Sequence, residues 1–286
     1  MSTLIVGCGY LGQRVGNWLS RRGEDVYGTV RSPRRAEEIA RLGITPIIAD
    51  VLRPDSLTGL PEARRVLYCV GYDRRSGADR RAVYVDGLRN VLQRLPGSVS
   101  RVVYTSSTSV YGQTRGEWID EDSATEPETP SGRICLEAEN VLRGWPARIS
   151  LSRIILRFSG LYGPGRVIRR ALLEQGEPIP GEPDRFLNVI HIDDAAQAAV
   201  AALDAARPEP VYVVSDDHPV PRREYYALAA RLLNAPPPQF IPAAGHSVES
   251  RGDTTNRRVL NRRMRDRLGV DLIYPDITSG LPARWG

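Results

Sequence analysis

The chain has no lysine: all 39 of its basic residues are arginine, set against 34 acids in 286 residues, for a formal charge of +5. That removes every ammonium group that could share a proton with a neighbour. Arginine cannot take its place, because the guanidinium stays protonated. Cysteine is nearly absent too. The three residues, Cys8, Cys69 and Cys135, are odd in number, far apart and form no CxxC pair. A disulfide framework and a cysteine metal site are therefore not expected, and a reducing, cytoplasmic setting is. No apolar run approaches the ~20 residues of a membrane span. The first strand-like run starts at Thr3, so no signal peptide is expected. The arginines fall in scattered doublets, among them Arg21-Arg22, Arg64-Arg65, Arg222-Arg223 and Arg257-Arg258, with acids between them. A nucleic-acid binder gathers its charge in a patch with interleaved aromatics. Solvated faces and some phosphate contacts are expected instead, with neither nucleic acid nor membrane as partner.

What is present begins at once. Thr3–Val6 is a short apolar run that breaks into Gly7-x-Gly9-x-x-Gly12 and continues as a helix. Gly7 permits a tight turn off the strand. Gly9 lets a pyrophosphate approach the backbone, and Gly12 lets the helix pack close to the strand. Residues Tyr10 and Leu11 open that helix, whose free N–H groups and positive dipole end suit phosphate. With a second strand following at Asp25–Val30, the context is the one dinucleotide binding requires.

Further strands are expected at Thr45–Ala49, Val66–Val70, Arg101–Thr105 and Leu151–Arg157. Helices are expected at Gly12–Arg22, Pro33–Leu42, Ala78–Leu95 and Gly132–Leu142. The strands are β-branched runs without polar alternation, as strands covered on both faces are. Their alternation with helices predicts an α/β fold, a Rossmann-type doubly wound parallel sheet. After Gly160 prolines and glycines cluster. A segment Asn188–Asp193, a helix Asp194–Ala206 capped by its aspartates, a strand Val211–Val214 and a helix Arg222–Leu233 follow. The expected organisation is a nucleotide-binding domain of residues 1–160, also receiving about 187–215. A smaller C-terminal substrate lobe takes residues 161–186 and 216–286.

The tip of the second strand carries no carboxylate to hold a ribose 2′-hydroxyl. Arg31, Ser32, Arg34 and Arg35 stand there instead, and guanidinium groups suit a 2′-phosphate. NADP is therefore expected over NAD. Asp50 and Val51, after the third strand, are placed for the adenine ring. Cys69, Val70 and Gly71, after the fourth, are placed to pass close to the cofactor.

TSSTSVYG (Thr105–Gly112), GRICLEAE (Gly132–Glu139), ILRFSGLYGPG (about 155–165) and NVIHIDDAAQA (Asn188–Ala198) resemble the extended branch of the short-chain dehydrogenase/reductase superfamily. That branch is the nucleotide-sugar epimerase and dehydratase group, and the likeness runs over nearly the whole chain. The resemblance implies a Ser or Thr with a Tyr-x-x-x-Lys pair above the nicotinamide, the lysine lowering the tyrosine pKa. It also implies a homodimer through two helices of the sheet domain. The serine matches Ser107. The tyrosine position holds Ser131 and the lysine position Cys135, and Arg133 between them points to another side of the helix. A family asparagine falls at Tyr84. The chain thus resembles an atypical member that keeps the cofactor apparatus and lacks the acid–base couple.

Tyr111 is the preferred substitute acid, with Cys135 a second candidate and Tyr162 and Tyr72 weaker ones. His191 reads as a core histidine. No metal site is expected. Two functions stay open on the sequence. One is an NADP-dependent oxidoreductase or epimerase-like enzyme for a small carbonyl or alcohol substrate, such as a nucleotide-sugar derivative. The other is a non-catalytic NADP(H)-binding sensor or regulator.

Overall fold

A computed structural model describes residues 1–146, 151–242 and 255–282. The chain opens with β1 (Ser2–Val6), α1 (Tyr10–Arg21), β2 (Asp25–Val30), α2 (Pro33–Ala40), β3 (Thr45–Ile48) and β4 (Arg65–Tyr68). A π-helical turn, Ala82–Asp86, runs straight into α3 (Gly87–Arg94). Then come β5 (Arg101–Ser107), β6 (Glu117–Ile119), α4 (Pro130–Gly144), β7 (Ser152–Phe158), β8 (Gly160–Tyr162) and α5 (Arg170–Gln175). They are followed by β9 (Ile179–Pro180), β10 (Phe186–Leu187), β11 (Val189–His191), α6 (Ile192–Asp204), β12 (Val211–Val214) and β13 (Val220–Pro221). Last are α7 (Arg222–Leu233), β14 (Phe240–Ile241), β15 (Arg257–Val259), α8 (Arg262–Leu268) and α9 (Ile277–Gly280).

Two compact units result. The first comprises Met1–Ser107, Pro130–Arg157 and Ala196–Tyr212; the second comprises Thr108–Thr129, Phe158–Ala195 and Val213–Gly286. The first is built on a seven-stranded sheet of order β12-β7-β5-β4-β1-β2-β3. Its β1–β2, β1–β4, β2–β3 and β4–β5 pairs are parallel, as the strand–helix alternation predicts. Leu4, Ile5 and Val6 are fully buried because both faces of β1 are covered. The order runs outward from β1 one way and from β4 the other. The order thus reverses between these two strands, and sheets of this kind take ligands at the carboxyl ends beside such a reversal.

The single helix expected over Ala78–Leu95 is divided: its first part is the π turn and only Gly87–Arg94 is regular. Gly87 lies tight against the core, where a Cβ would come within 2.7 Å of Val51 Cγ2. The arginine doublets are not simply solvated. Arg64 is exposed, but its neighbour Arg65 is buried, pairing with Glu24 and Asp204 and donating to Thr3 Oγ1 at 2.8 Å. Successive residues of a strand face opposite ways, so a doublet on β4 sends one guanidinium inward.

In the second unit, Tyr162, Leu173, Ile179, Val189, Val220, Tyr225, Tyr226 and Ile277 form the core. β15 pairs in parallel with β6. Asn188 braces β15 by donating to Arg257 O and accepting from Val259 N, both at 2.9 Å. Asp194 does not cap a helix starting at itself. The helix begins at Ile192, and the buried Asp194 carboxylate accepts the N–H groups of Ile273 (2.7 Å) and Tyr274 (3.0 Å), tying down the closing segment. No helix among the described residues is long and apolar enough to cross a membrane.

Asp216 is 1% exposed, and among the described residues its carboxylate accepts the His218 N–H alone, at 3.2 Å. Burial pushes its pKa well up, helped by Asp217, Asp276 and Asp194. A carboxyl raised in the folded state ionises first in the unfolded chain. Its contribution to stability is present below the unfolded pKa of about 4 and is lost as pH climbs through the folded value. Asp216→Asn keeps the acceptor and removes the charge. Its Tm relative to wild type should rise steadily as pH goes from about 4 to neutrality, which calorimetry across that range would read.

Candidate functional site

The turn after β1 is shaped by what will not fit there. Gly7 has φ +86°, and a Cβ on it would lie 2.7 Å from Val70 Cα and 2.8 Å from Val70 N, so only glycine is accommodated. Its N–H donates to Thr29 Oγ1 at 2.8 Å, the Cys8 N–H donates to Thr29 O at 2.9 Å, and Cys69 Sγ donates to Gly7 O at 3.2 Å. At Gly12 a Cβ would sit 2.9 Å from Ile5 Cγ2 and 3.0 Å from Gly7 O, so α1 packs directly on β1. Gly9 is the contrast. The nearest atom to a Cβ there is Gly7 O at 3.9 Å, so the protein leaves the space beside it open. α1 starts at Tyr10 and Leu11 with no side-chain cap and no acid in its first turn. The first N–H groups of such a helix favour an anion. These residues fit the pyrophosphate of a dinucleotide.

At the end of β2, Arg31 pairs loosely with Asp73 (3.5 Å), while Arg34 and Arg35 both pair with Glu38. All three arginines are exposed, and Ser32 stands at the N-cap of α2 without spending its hydroxyl on the helix. Asp50 Oδ1 accepts the Leu52 N–H at 2.9 Å, and Val51 is buried. Val70 is half-buried and Gly71 exposed. Burial raises the Cys8 thiol to about 12 and the Cys69 thiol well above its ordinary value, so neither is a thiolate.

Ser107 is the last residue of β5 and half-buried. Its neighbour Ser106 is buried and donates to Glu139 Oε1 at 2.6 Å. Glu139, fully buried, also accepts from Arg157 Nε (3.0 Å), Arg157 Nη2 (2.8 Å) and Arg143 Nη2 (2.7 Å). Ser131, Cys135 and Glu139 are four residues apart and share a face of α4, which Glu139 directs onto β5 and β7. Cys135 lies within electrostatic reach of Tyr104 on β5. Arg133 is exposed, off that face.

Tyr111 belongs to the second unit and is 1% exposed. Arg257, also buried, donates to the carbonyls of Tyr111 (2.9 Å) and Thr108 (2.8 Å). Desolvation lowers its pKa to about 10, against a favourable interaction with Tyr111. His191 is fully buried between Tyr274 and Tyr162, with Nδ1 accepting the Asp193 N–H at 3.3 Å. A pocket of about 780 Å³ opens in this unit, lined by His218, Glu224, Leu228, Arg231 and Ile277 among others. None of the residues expected from the sequence lines it. Thr29, Glu139, Arg157 and Arg257 were not foreseen, since each acts through partners distant in the chain.

The model of the NAD-dependent epimerase/dehydratase family matches residues 3–215. Protein YeeZ of Escherichia coli (strain K12) is 30% identical over 279 residues, covering 95% of this chain and 96% of that protein. The 3-diazoavenalumate denitrifying reductase of a Streptomyces species is 26% identical over 311 residues, covering 98% and 99%. The UDP-glucose 4-epimerase of Thermotoga maritima, solved with UDP-glucose, superposes with a TM-score of 0.82 at 17% identity over 98% of this chain and 96% of that one, a likeness of fold.

Two substitutions separate cradle from scaffold. Gly9→Ala should leave Tm nearly unchanged, because its Cβ would meet only Gly7 O at an ordinary 3.9 Å, while weakening dinucleotide binding measured by calorimetry by ~10-fold or more. Glu139→Leu strands Arg157 without its carboxylate and should cost about 3–5 kcal/mol in a urea unfolding curve.

Proposed function

The chain belongs to the NAD-dependent epimerase/dehydratase family, and from that premise we propose that it is an NADP-dependent oxidoreductase acting on a small carbonyl or alcohol substrate, nucleotide-sugar derivatives included. The observation that carries this reading is the open space beside Gly9, set in a turn that Gly7 and Gly12 make impassable to side chains. A full-length relative named as a reductase supports it, as does the UDP-glucose held by a protein of the same fold.

Gly7, Gly9, Tyr10, Leu11 and Gly12 hold the pyrophosphate in this reading; Asp50 and Val51 flank the adenine, and Cys69, Val70 and Gly71 line the path to the nicotinamide. Arg31, Ser32, Arg34 and Arg35 receive the 2′-phosphate. Arg31 exchanges a 3.5 Å pairing with Asp73 for a charge-assisted contact that guanidinium makes in two-point fashion. A nicotinamide, when bound, supplies or accepts hydride at its ring carbon. The chain's own residues orient the substrate, exclude water and manage the accompanying proton. Ser107 is assigned to polarise the substrate oxygen. Cys135, on the facing helix, and Tyr111, in the second unit, are the proton-bearing groups named by the sequence. The first unit serves the nucleotide and the second the substrate, in a cytoplasmic homodimer.

The test is to purify the protein, identify any nucleotide it carries, and follow reduced-cofactor absorbance across a panel of carbonyls and nucleotide sugars. Consumption of reduced cofactor with one class is expected; tight binding with no turnover of any candidate would overturn the enzymatic reading. Arg31→Ala should weaken NADP by ~10-fold or more and leave NAD nearly unchanged, since one charge-assisted contact is worth about 1.5–3 kcal/mol. Equal loss for both would refute the 2′-phosphate assignment.

A further inference from the structure

α7 is a helix of 12 residues with two opposite faces. The inner face, Tyr225, Tyr226, Ala229 and Ala230, is buried in the core of the second unit. The outer stripe is Glu224, Ala227, Leu228 and Arg231, which the i, i+3, i+4, i+7 spacing puts on one side of the helix. A helix face turned to water is polar throughout. This one confines its charge to the two ends. Glu224 and Arg231 are exposed, and Ala227 and Leu228 between them are half-buried. The cavity of about 780 Å³ opens along this stripe, lined by all four residues and by small or apolar neighbours such as Ala230, Ala235 and Ile277. All of these belong to the second unit.

Neither end charge is consumed within the chain. The neighbouring Arg223 pairs with Asp184 and reaches Glu224 only at 3.9 Å. Arg231 enters no ion pair among the described residues. The stripe is also its own complement. Turned end for end about a twofold axis between positions 227 and 228, it exchanges Glu224 with Arg231 and Ala227 with Leu228. Two α7 helices from separate copies, packed antiparallel, therefore set each Glu224 against the partner's Arg231 and each Leu228 against the partner's Ala227. Opposite charges meet at both ends, and in the middle a large side chain meets a small one, as interlocking helix surfaces require. The hollow lined by Ala227, Ala230 and Ala235 receives the incoming leucine. Both copies use the same patch, which is the condition for a closed twofold contact.

We propose that the outer face of α7 docks a second copy of this chain, joined about a twofold axis through two Glu224–Arg231 ion pairs and a centre of Leu228 on Ala227. The homodimer that the family resemblance implies uses helices of the sheet domain. α7 lies in the second unit, so this contact is a separate one, and it pairs dimers into tetramers where both form. It needs no bound dinucleotide and is independent of the oxidoreductase reading. A helix of 12 residues is about 18 Å long, which covers a modest area, so the association is reversible and depends on concentration.

Sedimentation equilibrium of the full chain over a range of concentrations reads this contact. Wild type should show a mass-doubling step. Glu224→Arg and Arg231→Glu each turn both attractive pairs repulsive and should weaken that step by ~10-fold or more. Combining Glu224→Arg with Arg231→Glu restores opposite charges at both ends, keeps the wild-type net charge and should bring the step back. Both positions are exposed, so Tm should hold in all three variants. Leu228→Asp should abolish the step; because Leu228 also packs on the core, its Tm is read alongside, and the charge variants decide if it fails to fold. A wild type with no mass-doubling step that the single reversals weaken overturns the proposal and leaves the face to a foreign helix or a small apolar ligand. A double reversal that associates no better than either single one overturns it as well.

Discussion

The close approach of two strand ends governs the rest. A side chain at position 7 would run into the α-carbon and nitrogen of Val70, and backbone atoms cannot turn aside as a rotamer can. Because nothing projects from residue 7, the turn after β1 can lie against the segment leaving β4. Thr29 of β2 then satisfies its first N–H, and the Cys69 thiol its carbonyl. Three strands are thus joined at one corner by hydrogen bonds that exist only because a Cβ is missing. The open space beside Gly9 is the product of that corner, and so is the position of the Tyr72 N–H that meets Tyr84.

An all-arginine chain does its internal electrostatics differently from one that mixes cations. Arginine's planar fork can satisfy several acceptors at once. Arg65 gathers Glu24, Asp204 and Thr3, and Arg157 braces Glu139 through two nitrogens. Arg257 does the same work through carbonyls, holding two of the 108–111 turn. Burial of that last charge costs solvation, which its pKa, lowered to about 10, reflects. The chain tolerates it because both terminal nitrogens find acceptors.

What could be read in advance follows from the range of each interaction. The glycine turn, β2, β12 and α7 declare themselves through local pattern, and the structure places β2, β12 and α7 at the bounds the residues suggest. The parallel order follows from strand–helix alternation. Thr29 carries no local mark, since its partner is 22 positions away. Nor does Asp194, which looks like a helix cap because acids favour first turns, yet serves N–H groups 79 and 80 positions on. The π turn is likewise invisible: an apolar periodicity over Ala78–Leu95 fits a regular helix as well as one widened for a turn. Among the doublets, composition could not say which arginine turns inward, but strand geometry could have. Arg65 has an exposed neighbour in Arg64, and Arg257 a half-buried one in Arg258, which lies over the Trp118 and Phe186 rings.

The face of α4 also bears on the positions where the resemblance expects a tyrosine and a lysine. Ser131 and Cys135 stand on the same face as Glu139, and that carboxylate already accepts four hydrogen bonds from Ser106, Arg143 and Arg157. A serine hydroxyl is too weak an acid at neutral pH, and the nearby guanidiniums cannot surrender a proton. At Glu139 the face is therefore fixed as scaffold, holding the end of β5 and with it Ser107. The turn before α3 reaches a neighbouring strand end instead: Gly87 seats its helix against Val51, while the widened turn brings the Tyr84 oxygen to the Tyr72 N–H in the loop after β4.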